Sequence, residues 1–124
     1  EGAGFLLLQK SNDAALACIR TVFSFTEKNK EKAITKLSES LKEQRFDVKV
    51  NSLWLGISTK DAACLLGENE ETIQPYYFKV KTGQWGTVIA TAICKAIQDS
   101  ADNAKVFIVN NFCEDWSLVV LEML

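Results

Sequence analysis

Apolar positions along this chain follow two rhythms, one of three to four residues and one of two, and the switches between them divide it into elements. Phe5 to Gln9 is a short apolar run closed by Lys10-Ser11-Asn12, which predicts a buried strand. Asp13 is placed to cap a helix over Ala14–Phe25, with Leu16, Ile19 and Phe23 on one face. The β-branched and aromatic cluster Thr21-Val22-Phe23-Ser24-Phe25 leaves a strand open as the alternative there. Between Glu27 and Gln44, Ile34, Leu37 and Leu41 form a narrow helical stripe, and alternating Lys and Glu residues mark the wet side. Phe46, Val48 and Val50 alternate with polar residues and predict a strand. The phase then flips to Leu53, Leu55 and Ile57, so a bend is expected near Asn51-Ser52. Ser58 followed by Asp61 resembles a capping box. It opens a short helix through Leu66 that Gly67 closes.

The second half repeats the alternation of strand and helix. Pro75, the one proline, leads into a strand expected over Tyr76–Lys81. Thr82 to Gly86 is a loop, and Thr87 can cap a helix over Val88–Ser100 whose face carries Ile89, Ala92, Ile93, Ala96 and Ile97. Val106-Phe107-Ile108-Val109 is apolar without interruption, as in a central strand covered on both faces. A turn at Asn110–Asp115 and a strand at Trp116–Leu124 complete an antiparallel hairpin. The order predicts a single globular α/β (α+β) domain over residues 5–124, with a mixed sheet of about five strands, helices packed on it and a C-terminal antiparallel hairpin.

Composition fits that reading. With 124 residues, 48% hydrophobic and 24% charged, the chain has enough apolar surface for one core and no excess of polar sequence that would leave it disordered. It begins at Glu1 rather than methionine, which reads as a trimmed or tagged start, so Glu1–Gly4 stay outside the fold. Cys18, Cys64, Cys94 and Cys113 are irregularly spaced. The first three fall in apolar patterns typical of core thiols, so reduced cysteines and a cytoplasmic setting are expected. Phe5–Leu8 is too short for a secretion signal or a membrane span.

Candidate chemistry is narrowed mostly by subtraction. The chain has no histidine, so no Ser-His or Cys-His triad is available and no obvious zinc ligand set remains. No catalytic residue, metal ligand or cofactor is therefore expected. Net charge is −2, and the basic residues are interleaved with acids, which argues against nucleic acid as the partner. Gly83-Gln84-Trp85-Gly86-Thr87 runs from a strand into a helix start and could hold an anion, yet it lacks the spacing of a phosphate or dinucleotide loop. Cys113 is followed by Glu114 and Asp115, whose charges oppose a thiolate.

The acids are distributed unevenly. Glu68, Glu70, Glu71, Glu114 and Asp115 fall in turns, and Trp85 and Trp116 lie in or beside the same loops. Acidic loops around large aromatics suit a surface that docks a basic protein. The expectation is a non-catalytic protein-binding module, such as a small cytoplasmic immunity protein that covers a toxin's active site, with those seven residues in contact with the partner. Two alternatives stay open. One is a small enzyme with a cleft near Gly83–Thr87 or a cysteine nucleophile. The other is a structural or chaperone subunit that self-associates through the C-terminal strand.

Overall fold

The computed structural model describes residues 15–47, 49–67, 74–79 and 88–124. The elements are β1 (Ala17–Thr26), α1 (Lys30–Glu43), β2 (Ser52–Gly56), α2 (Thr59–Leu66), β3 (Tyr76–Tyr77), α3 (Val88–Asp99), β4 (Lys105–Phe112) and β5 (Asp115–Met123). The strands form one five-stranded mixed sheet in the order β1-β5-β4-β2-β3. β2 is parallel to β3 and β4, and β5 is antiparallel to β4 and β1. This is the α+β domain that the patterning predicts.

Helices cover both faces of the sheet. Ala33, Ile34, Leu37 and Leu41 of α1 and Ala62, Leu65 and Leu66 of α2 pack with Leu53, Leu55, Phe107, Val109, Leu118 and Val120. On the other face, Val88, Ala92, Ile93 and Ala96 of α3 pack with Trp54, Val106, Ile108, Val119 and Leu121. The crossovers explain the split. β1→α1→β2 and β2→α2→β3 advance in one direction across the sheet, whereas β3→α3→β4 returns over β2. Right-handed crossovers then place α3 opposite the other two helices. β4 lies at the centre, and Val106, Phe107, Ile108 and Val109 are each 0% exposed.

Local sequence accounts for the helix ends. Asn29 caps α1 by accepting from the Lys32 amide at 3.1 Å, so the helix begins three residues after Glu27. Ser58 caps α2 through the Asp61 amide at 3.1 Å, and Gly67 follows with φ of 55°, a backbone conformation that glycine takes at little cost.

Four expectations need correction. Residues 17–26 form strand β1, the alternative left open for this segment, rather than the helix over Ala14–Phe25. Thr21, Phe23 and Phe25 turn inward while Val22, Ser24 and Thr26 are exposed, so a period of two overrides the helical spacing of Leu16, Ile19 and Phe23. Residues 46–47 and 49–50 are a turn rather than a strand. The Asp47 carboxylate accepts from the Lys49 amide at 2.9 Å and the Asn51 side chain accepts from the Asp47 amide at 2.7 Å. Phe46 still reaches the core edge-on to Phe107, whereas Val50 is exposed. β3 ends at Tyr77, so Phe78 and Lys79 do not continue the strand expected there. Finally, β5 is flanked by β1 and β4 and presents no free edge for strand addition, which removes the self-association route drawn through Trp116–Leu124. The strand expected over Phe5–Gln9, Asp13, Val48, Val80, Lys81 and the cap at Thr87 lie outside the described residues.

Candidate functional site

Strand register creates an unusual row on the α3 face. Trp54, Ile108, Val119 and Val22 stand side by side across β2, β4, β5 and β1, an apolar row. Two residues along, the row becomes Gly56, Asn110, Ser117 and Ser24. The next positions are Phe112, Asp115 and Thr26. Small and polar side chains therefore replace large apolar ones near the carboxyl ends of β2 and β4. In open sheets with helices on both faces, crevices form at this end, where crossovers leave in opposite directions.

The consequence is an open recess of about 380 Å³ lined by Ser24, Phe25, Thr26, Ile89, Asn110, Phe112, Asp115, Trp116 and Ser117. Ile89, in the first turn of α3, forms its wall. Asn110 is 6% exposed, and its Oδ1 is a buried acceptor without a hydrogen-bond partner among the described residues. Such a group costs roughly 1–3 kcal/mol relative to a satisfied one. That oxygen lies over Gly56, where a Cβ would meet it at 2.4 Å, and Phe78 Cζ would be met at the same distance. Glycine is required at that position because the amide and the ring occupy the space a side chain would fill.

Asp115 borders the recess with an exposed carboxylate. The Thr26 hydroxyl donates to its Oδ1 at 2.9 Å, and Asn111 Nδ2 donates to its main-chain carbonyl at 3.1 Å. Glu114 and Cys113 form the hairpin turn, both exposed, and Cys113 adopts φ of 54°. The Glu27 amide donates to the Glu114 carbonyl at 2.9 Å, which ties the end of β1 to the hairpin. On the far side of β2, the Lys79 amine donates to the Asn111 carbonyl. Burial pushes this amine down to about 8.

The residues expected to contact a partner divide into three groups. Glu114 and Asp115 come together at the exposed hairpin end beside the recess. Trp116 belongs to the core instead. It is 3% exposed, and its Nε1 donates to the Glu27 carbonyl at 3.1 Å, so its ring is packed and satisfied rather than presented to a partner. Glu68, Glu70, Glu71 and Trp85, with the rest of the Gly83–Thr87 loop, lie outside the described residues. Asp99 and Asp102 are exposed near the opposite end of the sheet, where the Asn103 amide donates to the Met123 carbonyl at 3.1 Å. The described acids therefore do not all share one face.

Cys18 and Cys94 are half-buried, whereas Cys64 and Cys113 are exposed, so the core position expected for Cys64 is not observed. The described residues contain no group of three or more His, Cys, Asp or Glu side chains suited to a metal ion. No helix among them is long and apolar enough to cross a membrane. Sequence reasoning located the hairpin acids from their turn context but missed Ser24, Asn110 and Ser117. Only the strand register brings those three together. The available signal was Asn110 itself, a polar residue ending an apolar run that becomes the central strand.

Comparison with known proteins supports the fold alone. No protein-family profile matches the sequence, and no curated protein does. Among solved structures, the chain is similar to "AbyA1 - tetronic acid condensing enzyme", with a TM-score of 0.68 and 14% sequence identity. The match covers 93% of this chain and 51% of AbyA1, so the chain spans about half the length of that structure.

Proposed function

We propose that this chain is a non-catalytic binding domain that engages a basic protein through the hairpin end of its sheet. The observation that carries the reading is the juxtaposition of exposed Glu114 and Asp115 with an open recess lined by Ser24, Asn110 and Ser117. Exposed acids accelerate encounter with a basic surface, and a desolvated contact at the centre of the interface retains it. An interface of ordinary size covers about 800 Å² on each partner, enough to span the hairpin, the recess and the adjoining β1 edge. The narrower form is a cytoplasmic immunity protein or antitoxin that occludes a basic toxin's active site. It draws on the chain's acidic balance.

The test begins with a partner retained from extract of the native cell, identified and purified on its own. Its affinity is then measured against wild type, Glu114→Lys and Asp115→Asn at two salt concentrations. The reading expects a basic partner, tenfold or greater weakening by Glu114→Lys, and weaker binding at the higher salt. Unchanged affinity in both variants contradicts it.

A second reading, a small enzyme, draws on the likeness to a protein named a condensing enzyme and on the half-buried Lys79 amine at about 8. It expects a small molecule that raises the melting temperature of wild type but not of Lys79→Met, with no effect of Glu114→Lys.

A further inference from the structure

We propose that the outer edge of β1 receives an extended segment of the partner as an added antiparallel strand, one with a basic residue four positions before an apolar one. This rests on the reading of the chain as a binding domain for a basic protein and specifies how that partner is held. β1 ends the sheet and, among the described residues, pairs with β5 alone, whereas the opposite edge, β3, has two residues. Two main-chain bonds fix which way its peptide groups point. The Leu124 amide donates to the Leu16 carbonyl at 3.1 Å and the Glu27 amide to the Glu114 carbonyl at 2.9 Å, so Leu16 and Glu27 face β5. Antiparallel pairing alternates that direction from residue to residue. The amides and carbonyls of Val22, Ser24 and Thr26 therefore point away from β5, as do those of Ala17 and Ile19 before the register shift near Arg20. Val22, Ser24 and Thr26 are all exposed.

The edge also lacks the usual guards. Sheet edges resist strand addition through proline, lysine or inward-pointing charge. β1 has neither proline nor lysine, and its one charged residue, Arg20, is engaged by Glu122 at 2.8 Å. Instead, Ile19 is 37% and Val22 66% exposed. Their β5 partners, Leu121 and Val119, place both on the α3 face, which Ser24 and Thr26 share by alternation. An added strand bonds its backbone to the three outward residues and sets alternate side chains over that face. Opposite Val22, an apolar side chain covers the exposed methyls. Charge sets the other end. Asp115 is the β5 partner of Thr26, and Glu114 follows in the turn. The position opposite Thr26 lies two strand spacings, about 10 Å, from the Asp115 backbone, a gap that a lysine or arginine side chain and the carboxylate close from both sides. On the α1 face, Lys36 lies over the Phe25 ring and pairs with Glu27, so no cation is called for there.

The probe is the peptide N-acetyl-Thr-Arg-Thr-Ser-Thr-Val-Thr-amide, titrated into isotopically labelled protein and followed by amide resonances and their exchange with solvent. Its control carries glutamate in place of arginine. The arginine peptide is expected to slow exchange at Val22, Ser24 and Thr26 at least tenfold and to leave Phe23 and Phe25, whose amides face β5, unchanged. The glutamate peptide should bind at least fivefold more weakly. Ser24→Pro removes an outward amide and spares the bonds to β5, so it should abolish binding, whereas Ser24→Ala should not alter it. If Ser24→Pro does not fold, Val22→Lys decides: it adds the lysine that guards natural edges and should weaken the arginine peptide at least tenfold. Equal binding of the two peptides, no protection at the three amides, or indifference to these edge variants would overturn the proposal. So would an edge already filled. Dimerisation that Ser24→Pro removes assigns it to a second copy, and protection in the free monomer that is lost on deleting residues 1–14 assigns it to the chain's own start.

Failure here is separable from failure of the proposed function. If the arginine peptide does not bind while Glu114→Lys still releases the purified native partner, only the edge assignment falls. If the peptide binds as expected while partner affinity ignores Glu114 and Asp115, the function falls and the strand-addition site remains.

Discussion

Replacing Gly56 with alanine adds one methyl group at the most crowded point of the sheet. An ideal Cβ there would lie 2.4 Å from Asn110 Oδ1, 2.4 Å from Phe78 Cζ and 2.8 Å from Phe78 Cε2. Carbon atoms pack at about 3.5–4.0 Å, so the ring must retreat by about 1 Å or more, and the carboxamide with it. Phe78 is 2% exposed and Asn110 6%, which leaves neither free to swing into solvent. Backbone strain does not enter, because Gly56 is not among the positive-φ residues. Overpacking of this kind costs about 1–3 kcal/mol. Overlap at 2.4 Å with two buried groups belongs in the upper part of that range, about 2–3 kcal/mol, and restricting the unfolded chain offsets about 0.4–1 kcal/mol, leaving a net loss of roughly 1–2.5 kcal/mol. For a domain of this size each kcal/mol lowers the melting temperature by roughly 3–5 °C, so Gly56→Ala should melt about 3–12 °C below wild type. The assay is thermal and urea unfolding of Gly56→Ala, Phe78→Leu and the double variant. Because leucine lacks the clashing ring atoms, the double variant should lose less than the sum of the single losses, by about 1 kcal/mol. A Gly56→Ala protein as stable as wild type, or strict additivity with Phe78→Leu, would refute the close packing of β2, β4 and Phe78 described above.

Further predictions concern the caps, the lysine and the thiols. Ser58→Ala and Asn29→Ala each remove a side-chain acceptor at a helix start and should cost about 1 kcal/mol in urea unfolding, whereas Ser38→Ala, within α1, should not. Lys79 has its folded value at about 8, below the 10.5 of the unfolded chain. The unfolded state therefore binds more protons in that window, so this group's contribution makes stability rise as pH increases from about 8 to 10.5. Subtracting the stability of Lys79→Met from that of wild type at each pH should isolate this rise, and a flat or falling difference contradicts the burial of the amine. Cys64 and Cys113 should react with an aromatic disulfide reagent in the folded protein well before Cys18 and Cys94, as read by mass spectrometry of the labelled peptides. Equal rates at all four thiols would contradict the burial pattern.

What the sequence could convey depended on whether its pattern was local. The α1 stripe, the Ser58 cap with Gly67, the uninterrupted β4 run and the C-terminal hairpin all follow from residues close together in the chain, and each stands in the structure. β1 was ambiguous because its spacing fits both periods. Tertiary pairing with β5 along nine register pairs decides for the strand, leaving Leu16, Ile19 and Val22 exposed. At residues 46–50 the alternation of apolar and polar types imitates a strand, but the Asp47 and Asn51 side chains bond to nearby amides and close a turn. β3 ends at Tyr77, and Phe78 packs onto Gly56. The hairpin acids were legible from their turn context. The recess was not, since Ser24, Asn110 and Ser117 are distant in sequence and meet only through strand order and register.

Hydrogen exchange of the chain alone and in complex with its purified native partner tests the binding-domain account most directly. Protection on binding should concentrate in residues 23–27 and 110–117, the segments that frame the recess and carry Glu114 and Asp115. Protection confined to the solvent face of α1 or to the Asp99–Asp102 end of the sheet, with the hairpin unchanged, would contradict it.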